Sequence, residues 1–297
     1  MRVAALARLL LCLSISTPAA LRVEGTRFVD STGHRFEWRG ISAFRLVENV
    51  ASGRQAAAGR YLAWCHAHGV TVVRTFAMAK NMFPLPPEEG AAALPGLLAL
   101  AARHDVYVEI VALADTASYT FDVERHVTAI GKACASAGNC VIEIANEPNH
   151  PTQAPKIHDR AYLARLRSLI PRDVPVALGT GDEPAESGGG DYATIHTSRD
   201  TGDGGWAHVK ALASLRGLPD RMKMPVVSDE PIGAAERLEP GRRDDDPARF
   251  EAAARATRDA GLGATFHYSG GINAEIPTGR QLACFNAWRR GLTTRQG

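Results

Sequence analysis

The chain has 297 residues, 45% of them hydrophobic and 22% charged, which is ordinary globular composition and long enough for one large core. Its 34 basic side chains stand against 32 acidic ones. That balance excludes the basic footprint that nucleic acid or an anionic membrane surface requires of a partner.

Residues 1–20 carry Arg2 and Arg8, then the apolar run Leu9-Leu10-Leu11-Cys12-Leu13, then Ser16-Thr17-Pro18-Ala19-Ala20. A basic start, an apolar core and small residues at its end predict a signal peptide cleaved near Ala19 or Ala20. The apolar stretch, about 12 residues, falls short of the roughly 20 that a membrane span needs. A secreted or periplasmic protein is therefore expected, with residues 21–297 as a single monomeric domain and no membrane association after cleavage. Loss of Arg2 and Arg8 takes the 34 basic residues to 32, equal to the 32 acidic ones, so the mature chain is neutral. Cys65, Cys134, Cys140 and Cys284 remain. An even number suits disulfides in an exported chain, and Cys134 with Cys140 can close the Ala-Ser-Ala-Gly-Asn turn between them; four free thiols is the open alternative. No paired C-x-x-C marks a metal site, and neither a metal nor a cofactor is expected.

Residues 21–29 and 35–38 flank Asp30-Ser31-Thr32-Gly33, which predicts a small hairpin turned at 30–33. Strand and helix then alternate. Strands are expected near 40–44, 70–76, 106–113, 141–147, 174–179, 192–196, 224–230 and 264–268. Between and after them helices are expected near 53–68, 90–104, 121–136, 157–170, 205–217, 246–260 and 279–290, the sixth of these capped by Asp246, and a polar, Gly-rich loop at 181–190 joins the fifth and sixth strands. Eight strand-helix units over about 250 residues match a (β/α)8 TIM barrel, preceded by the short β-hairpin. An open doubly wound sheet would also alternate, but neither G-x-G-x-x-G nor G-x-x-x-x-G-K occurs.

In such a barrel the chemistry sits at the C-terminal ends of the strands. Arg74, Asp115, Asn146, Glu147, His196, Glu230 and His267 all fall there. Strand four, Val141-Ile142-Glu143-Ile144-Ala145, closes on Asn146-Glu147-Pro148, and strand seven, Val226-Val227-Ser228-Asp229, closes on Glu230-Pro231. Two-residue alternation puts Glu143 on the face of Glu147 one layer deeper, where a buried carboxylate needs a partner such as Arg39 or Arg74. The same alternation groups Val226, Ser228 and Glu230. A pair of glutamates across a barrel mouth is what glycoside hydrolysis requires: one protonates the leaving oxygen and the other attacks the anomeric carbon, about 5–5.5 Å apart in retaining enzymes.

Asn146-Glu147-Pro148 on strand four, Glu230 on strand seven and Arg74 on strand two resemble the signature of retaining glycoside hydrolases of clan GH-A, most of all glycoside hydrolase family 5, the cellulase and mannanase family. The resemblance extends from Trp38-Arg39-Gly40 to strand eight. It implies Glu147 as acid/base and Glu230 as nucleophile of an O-glycosidase acting on a β-linked carbohydrate. It further implies that Asn146 bonds the sugar 2-hydroxyl, that Arg74 holds Glu230 ionised, and that His196 lines the subsite beside the cleaved bond. Three positions depart from the family pattern: Ala114-Asp115 stands where a strand-three histidine is usual, Ser198 where a tyrosine is, and Phe266-His267-Tyr268 where a tryptophan platform is. Trp206 and Tyr268 are the aromatic candidates for stacking on a sugar, and His267 joins them at the end of strand eight. Two other readings fit the same residues. One is a sugar-binding barrel with degraded catalysis; the other is a metal-dependent hydrolase using Asp115, His196 and His267.

Overall fold

Apolar, β-branched runs bury both faces only when they pair in parallel and helices cover them. The computed structural model, which describes residues 20–181, 184–196, 213–230, 237–239, 242–243 and 245–293, has that arrangement. Strands β1 (Arg22–Glu24) and β2 (Arg27–Val29) form an antiparallel hairpin ahead of the barrel. The barrel strands are β3 (Arg39–Ser42), β4 (Val72–Phe76), β5 (Tyr107–Leu113), β6 (Cys140–Ala145), β7 (Val176–Ala177), β8 (Ala193–His196) and β9 (Val226–Glu230). A small antiparallel pair, β10 (Arg237–Glu239) with β11 (Arg242–Arg243), precedes the eighth, β12 (Gly263–Phe266). Around them run α1 (Leu46–Ala51), α2 (Gln55–Ala67), α3 (Pro87–Ala102), α4 (Val123–Ala137), α5 (Arg160–Arg167), α6 (Leu218–Met222), α7 (Pro247–Asp259) and α8 (Gly279–Leu292).

The eight strands pair in parallel in the order β7-β6-β5-β4-β3-β12-β9-β8, a nearly closed (β/α)8 TIM barrel. The seam between β7 and β8 is laced by Asp191, whose backbone N–H donates to the Val176 carbonyl at 2.7 Å and whose carboxylate accepts the Val176 N–H at 3.0 Å. Asp246 caps α7 as expected, accepting from the Ala248 N–H at 3.0 Å. Cys134 and Cys140 form a disulfide across the turn that leads into β6, while Cys65 is a buried free thiol and Cys284 is buried with its Sγ 3.2 Å from the Asp245 carbonyl.

Two expectations are corrected. The hairpin turns at Gly25-Thr26, where Gly25 has φ +61°, not at residues 30–33. Asp30 instead accepts from the backbone N–H groups of Thr32 and His34, a local turn that leaves only the single bridge Val29 to Arg35. The alternation on β9 is also shifted. Val226 packs outward with Leu218, Ala260 and Leu262, whereas Val227 packs inward with Trp38, Val72, Val141 and Tyr192. Asp229 continues the inward set. The pairing with β8 slips between Ile195 and His196, so Ser228 faces Ile195 and Glu230 faces His196 with Asp229 bulged between them.

The barrel is filled in layers. Leu21 and Phe28 of the hairpin segment join Trp38, Val72, Val141, Ala177, Tyr192 and Val227 at its N-terminal end. Above them lies a polar layer built around Arg74. Gly40 lines that layer because a Cβ there would meet Thr265 Oγ1 at 2.4 Å.

Candidate active site

Strand β6 ends at Ala145, and the next two residues leave the ladder. Glu147 adopts φ +42°, in the left-handed region that a side chain occupies at a cost of about 1 kcal/mol. Nearby structure holds it there. Gln153 Nε2 donates to the Asn146 carbonyl at 2.6 Å and to the Leu113 carbonyl at 3.3 Å, while Gln153 Oε1 accepts from Thr116 Oγ1 at 2.8 Å. Gly179, at φ +114°, lets the neighbouring chain pass close, since a Cβ there would lie 2.1 Å from the Ala145 carbonyl oxygen and 3.0 Å from Pro148. The outcome is a glutamate carboxylate that remains 39% exposed at the end of the fourth barrel strand.

His196 ends β8 beside it. Its Nδ1 lies 3.2 Å from Glu147 Oε1, and its backbone N–H donates to Thr180 Oγ1 at 3.1 Å. The imidazole is 10% exposed, so it stands between the mouth and the interior.

Beneath them Arg74 is fully buried. Its Nη2 donates to Glu143 Oε2 at 2.6 Å and to Asn146 Oδ1 at 3.0 Å, and its Nε donates to Glu143 Oε2 at 3.1 Å. Glu143 Oε1 accepts from Thr194 Oγ1 at 2.9 Å, so the buried carboxylate expected from strand parity finds its partner in Arg74. Arg39 is spent elsewhere, on the Gly69 carbonyl. Two further acids approach the same guanidinium: Asp229 at 3.5 Å and Glu109 at 3.9 Å. Burial pushes Asp229 up to about 6 although Arg74 pulls the other way. Burial, with the charges of Asp229 and Glu143 beside it, holds Glu109 well above the usual carboxylate range. The three carboxyls and one guanidinium make a dry polar floor to the site.

Of the sequence-predicted residues, the structure brings together Arg74, Asn146, Glu147 and His196. The β9 backbone delivers Glu230 to the strand end opposite, paired with His196. Its side chain lies outside the described residues, and so does Trp206. His267 is buried at the strand-eight end, its Nδ1 3.0 Å from Ser42 Oγ and its ring against Phe44. Tyr268 is corrected: it points outward into the helix layer rather than offering a platform. Its ring stacks on Phe266, and its hydroxyl bonds the Tyr61 hydroxyl at 2.9 Å and the Glu275 carbonyl. Full burial pushes that hydroxyl far up. Asp115 is also spoken for, since its carboxylate accepts from Lys80 N, Asn81 N and Asn81 Nδ2, each at 2.9 Å, and so anchors that loop. Glu143, His196 and Asp229 bring ligand atoms within 4.8 Å of one another, but the Arg74 guanidinium already supplies a cation there.

Sequence reading missed Glu109, Asp229, Thr194 and Gln153. Glu109 had a signal, a lone charge inside Val108-Glu109-Ile110 on the face of the strand that parity assigns to the interior.

No family model matches the chain, nor does any curated protein. Solved structures do. A glycoside hydrolase family 5 structure from Bacteroides vulgatus has a TM-score of 0.60 at 15% identity over 86% of this chain, which spans 64% of that one. A β-glucanase from Saccharophagus degradans in complex with cellotetraose has a TM-score of 0.63 at 13% identity, covering 91% of this chain and 92% of that one. A β-mannanase from the blue mussel Mytilus edulis has a TM-score of 0.56 at 11% identity, over 91% and 96% of the two chains. At these identities the likeness is one of fold. The family 5 resemblance noted in the sequence is met at that level.

Proposed function

We propose that the protein is a secreted, retaining O-glycosidase that cleaves a β-linked carbohydrate, with Glu147 as acid/base and Glu230 as nucleophile. One observation carries the reading. Glu147 is held in a strained backbone conformation at the end of the fourth barrel strand, half-exposed and 3.2 Å from an imidazole, while the seventh strand ends at a second glutamate. The likeness in fold to a β-glucanase and a β-mannanase supports a glycan as substrate.

In the first step Glu147 gives its proton to the leaving glycosidic oxygen as the Glu230 carboxylate bonds to the anomeric carbon. In the second Glu147 takes a proton from water, which displaces Glu230 from that carbon. Arg74 positions Asn146, whose amide is then available to the 2-hydroxyl. The apolar start of the chain, residues 9–13, supports export.

The test is hydrolysis of a panel of aryl β-glycosides, β-glucans and β-mannans by wild type, Glu147→Ala and Glu230→Ala. Both variants should lose about 10³-fold or more in kcat/KM, with aryl substrates of good leaving groups relatively spared by Glu147→Ala in the first step. Retention of activity in either variant, or an inverted product anomer by NMR, would overturn the assignment. N-terminal sequencing of the exported protein should begin near Leu21.

A further inference from the structure

The floor of the site holds more acids than cations, and its members are unequal. Arg74, Glu109, Glu143 and Asp229 are all completely buried. Glu143 has both oxygens engaged, by Arg74 and Thr194. Glu109 Oε1 accepts from the Tyr192 hydroxyl at 2.9 Å, and Asp229 Oδ1 accepts from Thr265 Oγ1 at 3.2 Å. Among the described residues, neither Glu109 Oε2 nor Asp229 Oδ2 has a hydrogen-bond partner at normal distance. Burial and the neighbouring acids raise Glu109 well above the usual carboxylate range, and burial raises Asp229 to about 6, so Asp229 is the floor acid nearer to neutral pH.

Among the described residues, the groups that face Asp229 include Arg74 from β4, Glu109 from β5, Glu143 from β6, Tyr192 just before β8, His196 at the end of β8 and the uncharged Thr265 from β12. His196 matters most. It lies within 4.8 Å of Asp229 and Glu143 on one side and contacts Glu147 on the other.

We propose that Asp229 is a positioning residue which, through the His196 imidazole, sets whether the proton between His196 Nδ1 and Glu147 Oε1 rests on nitrogen or on oxygen. The proposal rests on Glu147 being the acid/base. An ionised Asp229 favours the imidazolium, whose Nδ1–H donates to a Glu147 carboxylate, the form that activates water. A neutral Asp229 removes that counter-charge. The proton then passes from Nδ1 to Oε1, leaving neutral imidazole as acceptor and Glu147 as the acid that the first step needs. Two protons are counted: Asp229 takes one from solvent as it becomes neutral, and a second passes from Nδ1 to Oε1 along the His196–Glu147 hydrogen bond.

The experiment is an NMR titration of the His196 ring in full-length wild type and Asp229→Asn, with His196→Gln to assign the signal. The His196 pKa should fall by about one unit in Asp229→Asn, the shift expected when an opposite charge at this range is removed. The alkaline limb of kcat/KM should move to lower pH by a similar amount, because loss of the anion lowers the proton affinity of the whole His196–Glu147 pair, while the plateau rises as more of the singly protonated pair holds its proton on Glu147. Thr265→Val, which removes a donor to Asp229 but keeps the carboxyl, should shift His196 in the same direction by less and serves if Asp229→Asn does not fold. An unchanged His196 titration in a folded variant overturns the proposal, even if the enzyme hydrolyses glycosides. A shifted titration with no hydrolysis of any glycoside would retain the floor-to-imidazole coupling and overturn the acid/base reading on which its catalytic meaning depends.

Discussion

Replacing Arg74 by methionine would keep its volume and remove the only cation among the described groups of the floor, leaving Glu143 with the Thr194 hydroxyl alone. Breaking a buried pair from one side costs about 3–5 kcal/mol, because the surviving charge keeps its desolvation penalty. Urea unfolding of Arg74→Met at neutral pH should show a loss of that size. Arg74→Lys should fold better yet still lose activity, since an ammonium cannot donate to Glu143 and Asn146 in the fixed fork of a guanidinium. This pairing was legible at the sequence level, because two-residue alternation puts Glu143 inside and makes a partner obligatory. Asp229 was not. Its inward direction follows from where the β9 ladder sits relative to β8, a register that no property of Val226-Val227-Ser228-Asp229 fixes.

At the scale of elements, the β6 ending depends on the β7 loop. Gly179→Ala would force a residue with φ +114° to carry a Cβ aimed 2.1 Å from the Ala145 carbonyl oxygen. Strain and overpacking together should cost about 2–3 kcal/mol and shift the Asn146-Glu147 turn, so kcat should fall along with the melting temperature. At the other end of β6, the Cys134–Cys140 bridge closes a short loop with a sequence separation of 6 residues. Replacing both cysteines by serine should lower stability by about 2 kcal/mol on loop entropy while leaving kcat/KM unchanged, as the bridge lies at the strand end remote from Glu147. The strands and most helices were readable from period and punctuation. The hairpin was misplaced because Asp30-Ser31-Thr32-Gly33 is good turn chemistry, but Asp30 satisfies itself locally and the two-residue Gly25-Thr26 connection closes the ladder first. Tyr268 was misread for a related reason: an aromatic beyond a strand end continues that strand's alternation, and here the alternation sends it outward with Phe266.

Across the whole molecule, the barrel is closed with aromatic and aliphatic side chains at one end and carries titratable groups in the layer above, so folding itself must respond to pH. The Asp229 pKa is raised in the folded state, from its ordinary 3.8 to about 6. Between those values the folded protein keeps a proton that the unfolded chain has released, so stability falls as pH rises from about 4 to 6 and the contribution then levels off. Glu109, displaced in the same direction, extends the fall to higher pH. Paired carboxylates with lowered pKa would give the opposite slope, which makes the sign diagnostic. Asp229→Asn should match wild type in urea unfolding at pH 4 and exceed it at pH 7 by an amount of order 2–3 kcal/mol, the cost of ionising a buried acid beside other acids. A variant that is less stable than wild type at pH 7 would mean that the Arg74 attraction outweighs desolvation. The excess acid in the floor would then be a structural ion pair rather than a charge kept under strain beneath Glu147.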